Sequence, residues 1–178
     1  SILAEQWIQE IEERTYGAIK ITYYPSGALA TSAQTYNAVV EGICDMGMSV
    51  CSYTPGRFPV SELVDIPHSY SSGYVATMVM NDVYNEFKPA EFDDVHVLYL
   101  HGHGPGVIFT TKKAVRTLED LQGLSIRGTG IGVEIVQALG AQGVGKSQGE
   151  AYDLLSKGVV DGTFTPRETL KGWSQGEV

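Results

Sequence analysis

The sequence predicts an α/β protein with mostly parallel sheets, and three observations carry that prediction. Helix-periodic stretches alternate along the chain with short apolar stretches of strand character. A glycine closes most of the helical stretches, where a left-handed stop sits. One pattern, helix–Gly–two apolar residues–Asp–strand, occurs twice, in Glu41-Gly42-Ile43-Cys44-Asp45-Met46-Gly47 and in Lys157-Gly158-Val159-Val160-Asp161-Gly162. The repeat is too short to establish duplication.

Each element follows in order. Leu3, Trp7 and Ile11 share one face of a helix over residues 2–15, closed by Gly17. Ile19, Ile21 and Tyr23 alternate with Ala18, Lys20 and Thr22 as in a half-buried strand, and Pro25-Ser26-Gly27 is a turn. A helix over 32–41 stops at Gly42, a strand runs from Ile43 to Ser49, and Tyr53 to Pro59 is a loop broken by Pro and Gly. A longer helix spans 73–87 and ends before Pro89. Val95, Val97 and Tyr99 alternate as a strand that leads into His101-Gly102-His103-Gly104-Pro105-Gly106. So many glycines in one stretch mark a crossing, which divides the chain into a first lobe, residues 1–101, and a second, residues 102–178.

The second half repeats the scheme. Val107 to Thr111 is a strand, and Thr117 with Asp120 caps a short helix before Gly123. Leu124-Ser125-Ile126-Arg127 is a strand that ends in a charge. A helix over 132–139 stops at Gly140; Ser147 and Glu150 form a capping box for a helix to Lys157; Val159 to Phe164 is the last strand. Open α/β sheets hold ligands at the carboxyl ends of their strands, which directs attention to Ser49, Val50, Gly104, Arg127, Phe164 and Thr165.

Composition narrows the function. At 43% hydrophobic and 19% charged the chain can build a core, so disorder is excluded. A net charge of -9 with only 12 Lys and Arg leaves no basic face for nucleic acid or anionic lipid. It leaves room for a small anion, because one placed Arg overrides net charge locally. No apolar run approaches the ~20 residues that span a bilayer. Cys44 and Cys51 fit no zinc pattern and read as small hydrophobes, with a disulfide as the lesser alternative.

Arg127 is the most informative residue. It closes an apolar strand and precedes Gly128-Thr129-Gly130-Ile131-Gly132 and a helix start, and both features attract an anion. The competing reading is an Arg paired with an acid at a sheet edge. The glycine spacing is G-x-G-x-G rather than the dinucleotide G-x-G-x-x-G. His101 and His103 lack the further ligands a metal needs, so no metal or redox cofactor is implied. Tyr53, Phe58, Tyr70, Tyr74 and Tyr99 are candidates for an apolar cleft wall or for core.

Taken in order over nearly the whole chain, a set of motifs resembles the substrate-binding subunit of TRAP transporters, the DctP-like family. They are Tyr24 to Leu29, Val40 to Gly47, Tyr53 to Pro59, Val115 to Arg127, Leu139 to Ala141, and Glu150 through Gly162. The resemblance implies a two-lobed periplasmic-binding-protein-like architecture, no catalysis, and an organic carboxylate held by Arg127. It also implies an extracytoplasmic location and delivery of the ligand to a TRAP permease.

Thr165 stands where many relatives carry Asn and is expected to add a hydrogen bond, with Tyr53 and Tyr70 as wall residues. Val107 stands where sugar-acid binders carry a second Arg, which points to a ligand with an apolar or aromatic tail. Gly143, Gly145 and Lys146 depart from the family's apolar strand. The resemblance also implies that the first strand and the C-terminal elements are missing, so that unpaired strand edges call for a second copy, a swapped segment or further chain. The rival readings are an α/β enzyme with Arg127 as substrate clamp and His101 or His103 as acid–base, and the ligand domain of a sensor.

Overall fold

A computed structural model describes residues 2–67 and 69–178. The order of regular elements is α1 Ile2–Arg14, α2 Thr35–Val40, α3 Pro59–Glu62, α4 Gly73–Phe87, β1 Gly106–Thr110, β2 Ser125–Gly128, α5 Ile131–Ala138, β3 Gln142–Gly145, α6 Ala151–Ser156, β4 Gly162–Pro166 and α7 Thr169–Gly172.

All four strands form one sheet in the order β1-β4-β2-β3. β2 pairs parallel with both β3 and β4, and β1 joins β4 antiparallel at the edge. The α/β class with a parallel-dominated sheet therefore holds. The sheet has two chemically different faces, as strand alternation requires. Ile126, with Ile108 and Phe164, belongs to an apolar cluster with Leu121, Val136 and Ala141. Ile126 and Val136 are fully buried, and each such side chain contributes about 1.5–3 kcal/mol of burial. The alternate positions Arg127, Thr163 and Thr165 are polar and equally buried. Arg127 and Thr163 are register partners across β2 and β4.

Side-chain caps fix several of these element starts. Ser72 caps α4 by accepting from Val75 N–H at 3.2 Å. Asp120 accepts from the N–H groups of Arg116 and Thr117. The Ser147–Glu150 capping box is complete. The strand β3 was not expected. Its sequence, Gln-Gly-Val-Gly, lacks apolar alternation because α5 lies directly on it: a Cβ on Gly143 would come within 2.7 Å of both Val133 Cγ1 and the Val133 carbonyl oxygen.

The first half departs from expectation. The predicted strands at 19–23, 43–49 and 95–99 carry no ladder pairing among the described residues. A strand exists through its partner, and here side chains take the backbone groups instead. Glu12 accepts from Ile21 N–H, and Asn81 donates to the Leu100 carbonyl. Thr77 bonds both the N–H and the carbonyl of Gly102. What holds this half is an aromatic cluster. Phe58 packs on Tyr36 and Phe92 at ring separations of 5.0 and 5.2 Å, and Tyr84 reaches Phe92 at 5.6 Å. The loop read over 53–59 passes into α3, whose first N–H groups, those of Val60 and Ser61, both donate to the Glu91 carboxylate at 2.9 Å.

Cys44 and Cys51 are unbridged and half-buried, in line with the apolar reading. Burial, with Asp65 and Glu91 nearby, pushes the Cys51 thiol up to about 11.

Candidate functional site

Arg127 ends an inner strand, not a sheet edge, because β3 and β4 flank β2 on either side. Its side chain is 1% exposed. Nε donates to the Lys146 carbonyl at 2.9 Å and Nη1 donates to Gln148 Oε1 at 2.9 Å. Nη2 is buried with no hydrogen-bond partner. No carboxylate lies within salt-bridge distance of Arg127 among the described residues, so the competing reading of a structural ion pair does not apply. Burial lowers its pKa from the ordinary arginine value, against the raising influence of Tyr53 and Glu150. An arginine still carries its charge under such a shift. A buried cation without an anion is costly unless something compensates it.

The strand pairing explains why these groups meet. The parallel β2–β3 ladder puts Arg127 beside Val144, and the chain leaving β3 brings Lys146 to Gln148 past the end of β2. The β2–β4 ladder sets Thr163 beside Arg127, with Thr165 two residues on along the same face. Thr165 is 3% exposed, and its hydroxyl lies 3.2 Å from Gln148 Oε1 and 3.2 Å from the Thr169 hydroxyl. Thr169 in turn reaches Gln175 Oε1 at 3.1 Å. From the first half, Tyr53 Oη accepts from the Gln148 N–H at 3.2 Å.

Arg127, Thr165 and Tyr53 thus converge on one residue, Gln148, which the sequence reading passed over as the interior of a capping box. Among the described residues, four of the five buried side-chain polar atoms without partners also lie in this neighbourhood: Arg127 Nη2, Gln148 Nε2, Thr163 Oγ1 and Gln175 Nε2. Buried polar atoms are rarely left unpaired, so this concentration marks a place where a polar partner belongs. The fourth candidate, Tyr70, is half-buried before α4.

Above the group lies a cleft of about 1200 Å³ between the two halves, lined by Ser52, Tyr53, Gly130, Lys146, Ser147 and Trp173 among others. Arg127 and Thr165 lie behind its wall rather than in it. Of the remaining aromatic candidates, Phe58 is core, and Tyr74 and Tyr99 are exposed. His101 stacks near Tyr99, and His103 Nδ1 meets the Gly104 carbonyl at 2.7 Å.

Residues 2–178 match the DctP family, bacterial extracellular solute-binding protein family 7. The chain belongs to this family. The DctP family is one of solute-binding proteins, and the fold of this DctP chain recurs in solved members. A TRAP periplasmic solute-binding protein from Bordetella bronchiseptica with bound (R)- and (S)-mandelate superposes with a TM-score of 0.87 at 32% identity, covering 98% of this chain and 56% of that one. One from Rhodoferax ferrireducens in complex with copurified benzoate gives 0.84 at 31% identity, covering 90% and 50%.

Among curated relatives, the 2,3-diketo-L-gulonate-binding periplasmic protein YiaO of Escherichia coli is 25% identical over 97% of this chain and 53% of its own length. YiiZ of Salmonella typhimurium is 26% identical over 96% and 54%. The chain spans about half the length of the curated relatives it matches. No helix among the described residues is long and apolar enough to cross a membrane.

Proposed function

We propose that this DctP chain forms the ligand-gripping part of an extracytoplasmic solute-binding protein that captures a small organic carboxylate, performs no chemistry on it, and hands it to a TRAP membrane permease. One observation carries the reading: Arg127 is a buried cation at the carboxyl end of an inner strand, with one NH2 group unpaired and no carboxylate among the described residues within salt-bridge distance. A ligand carboxylate supplies both the charge and the acceptor. Thr165 and Tyr53 hold the surrounding network, and Tyr70 serves as a more distant wall residue. Residues 1–101 and 102–178 act as two lobes, with the crossing at 102–106 as their pivot, and the ligand favours the closed arrangement because it contacts both.

The ligand class follows from two supports. Val107 places an apolar residue on β1 beside Thr165. The solved relatives at 30% identity or above include those binding mandelate, 3-hydroxybenzoate and benzoate, whereas those with galacturonate and glucuronate fall to 22% and 21%, where only the fold is comparable. An aromatic or otherwise apolar monocarboxylate is therefore the expected ligand. In a thermal-shift panel of aliphatic, aromatic and sugar acids, aromatic monocarboxylates raise the melting temperature most. At a concentration 100 times the dissociation constant, binding adds about 2.7 kcal/mol. A rise with sugar acids alone would reverse the ligand class, and no rise with any acid would remove the function.

A further inference from the structure

Gln148 is held in a way that decides which of its two amide atoms meets a ligand. Its Oε1 accepts from Arg127 Nη1 at 2.9 Å and lies 3.2 Å from the Thr165 hydroxyl. The reverse orientation of the amide would set NH2 against the guanidinium, donor against donor, so the contact with Arg127 fixes it. The amide Nε2 is buried and without a partner, as is Nη2 of Arg127. Each of these two NH2 groups sits one carbon away from an end of the same 2.9 Å hydrogen bond. The backbone N–H of Gln148 donates to Tyr53, so the residue is also anchored to the first half of the chain.

We propose that Gln148 is a specificity-determining residue: by drawing Nη1 to its own carbonyl oxygen it leaves Nη2 as the guanidinium nitrogen without a partner, and the ligand carboxylate is shared, one oxygen to Arg127 Nη2 and one to Gln148 Nε2. This inference rests on the carboxylate reading of Arg127. A shared clamp needs two acceptor oxygens on one carbon, so the site prefers carboxylates to the matching amides or alcohols.

Isothermal titration with benzoate and mandelate as probes tests it on the wild-type protein and on Gln148→Met, Gln148→Glu and Arg127→Met, each checked for an unchanged melting temperature without ligand. Loss of one hydrogen bond to a charged group weakens binding by about 10- to 100-fold, which is the effect expected for Gln148→Met, together with a smaller preference for benzoate over benzamide. Gln148→Glu puts a carboxylate against Arg127 and abolishes binding of both acids.

If Gln148→Met binds within twofold of wild type while Arg127→Met does not bind, the shared clamp is wrong and the carboxylate reading stands. If wild type binds neither probe nor any other carboxylate, both are wrong. Should Gln148→Met not fold, Gln148→Asn keeps the amide but shortens its reach, and unchanged affinity there also overturns the clamp.

Discussion

Arg127 and Gln148 form a polar pair on which four separate parts of the chain converge: Nη1 of Arg127 donates to Oε1 of Gln148 at 2.9 Å, while Nη2 of the one and Nε2 of the other are buried and unpaired. Strand β2 supplies the first residue, the turn after β3 the second, and Thr165 of β4 and Tyr53 of the first half close around them. A fold that served only stability would leave fewer donors unmatched there.

Replacing Arg127 by Met separates function from stability. Breaking a compensated buried ion pair costs about 3–5 kcal/mol, but Arg127 has no anionic partner among the described residues. The substitution loses two hydrogen bonds of a charged group, at about 1.5–3 kcal/mol each, and removes a buried unneutralised charge, which offsets most of that loss. Urea unfolding of Arg127→Met without ligand is expected to lie within about 2 kcal/mol of wild type, while every carboxylate-induced shift in melting temperature disappears. A loss above 3 kcal/mol would mean that the guanidinium is structural.

At Gly130 the two halves pack tightly against one another. Its φ is +48°, and a Cβ there would overlap Cβ of Ser52, itself buried. Gly130→Ala is expected to cost about 1–3 kcal/mol through strain and overpacking. Adding Ser52→Gly removes the overlap but not the strained φ, so the double variant recovers part of the loss. Additive costs in that double-mutant cycle would show that the two residues do not press on one another.

Glu168 gives a pH dependence with a definite sign. The Gly104 N–H donates to its carboxylate at 2.9 Å and holds the carboxyl below its ordinary range, as does the more distant charge of His103. A carboxyl whose pKa is depressed by folding stabilises the protein above its unfolded value, near ~4.3, and loses that contribution as pH falls through the folded value. Wild type should therefore melt above Glu168→Gln at pH 7, and the gap should close in scans near pH 3. A gap independent of pH would place the effect in packing.

Much of this was legible along the chain. The span of α4, the caps at Ser147 and Asp120 and the strand ending in Arg127 depend on residues within a turn of one another, where local rules operate. The place of Arg127 in a strand before glycines and a helix is likewise local, and the proposal that it binds an anion starts from that place. Strand β3 escaped notice because its glycines answer to α5 packed on top, which local alternation does not record. The expected strands at 19–23, 43–49 and 95–99 show the converse. Their alternation is real, but pairing is a property of two segments, and among the described residues none pairs with them.

What the sequence by itself determined was the α/β class, most helix boundaries and the place of Arg127 at a strand end before glycines and a helix, because each is written in residue type and short-range spacing. What only the tertiary structure decided was that Arg127 lacks an acid partner among the described residues, that its strand is interior, and that Gln148 joins it to Thr165 and Tyr53. Those contacts span 17 to 95 residues of chain, and no local pattern encodes a hydrogen bond whose two ends are brought together by the order of strands in a sheet.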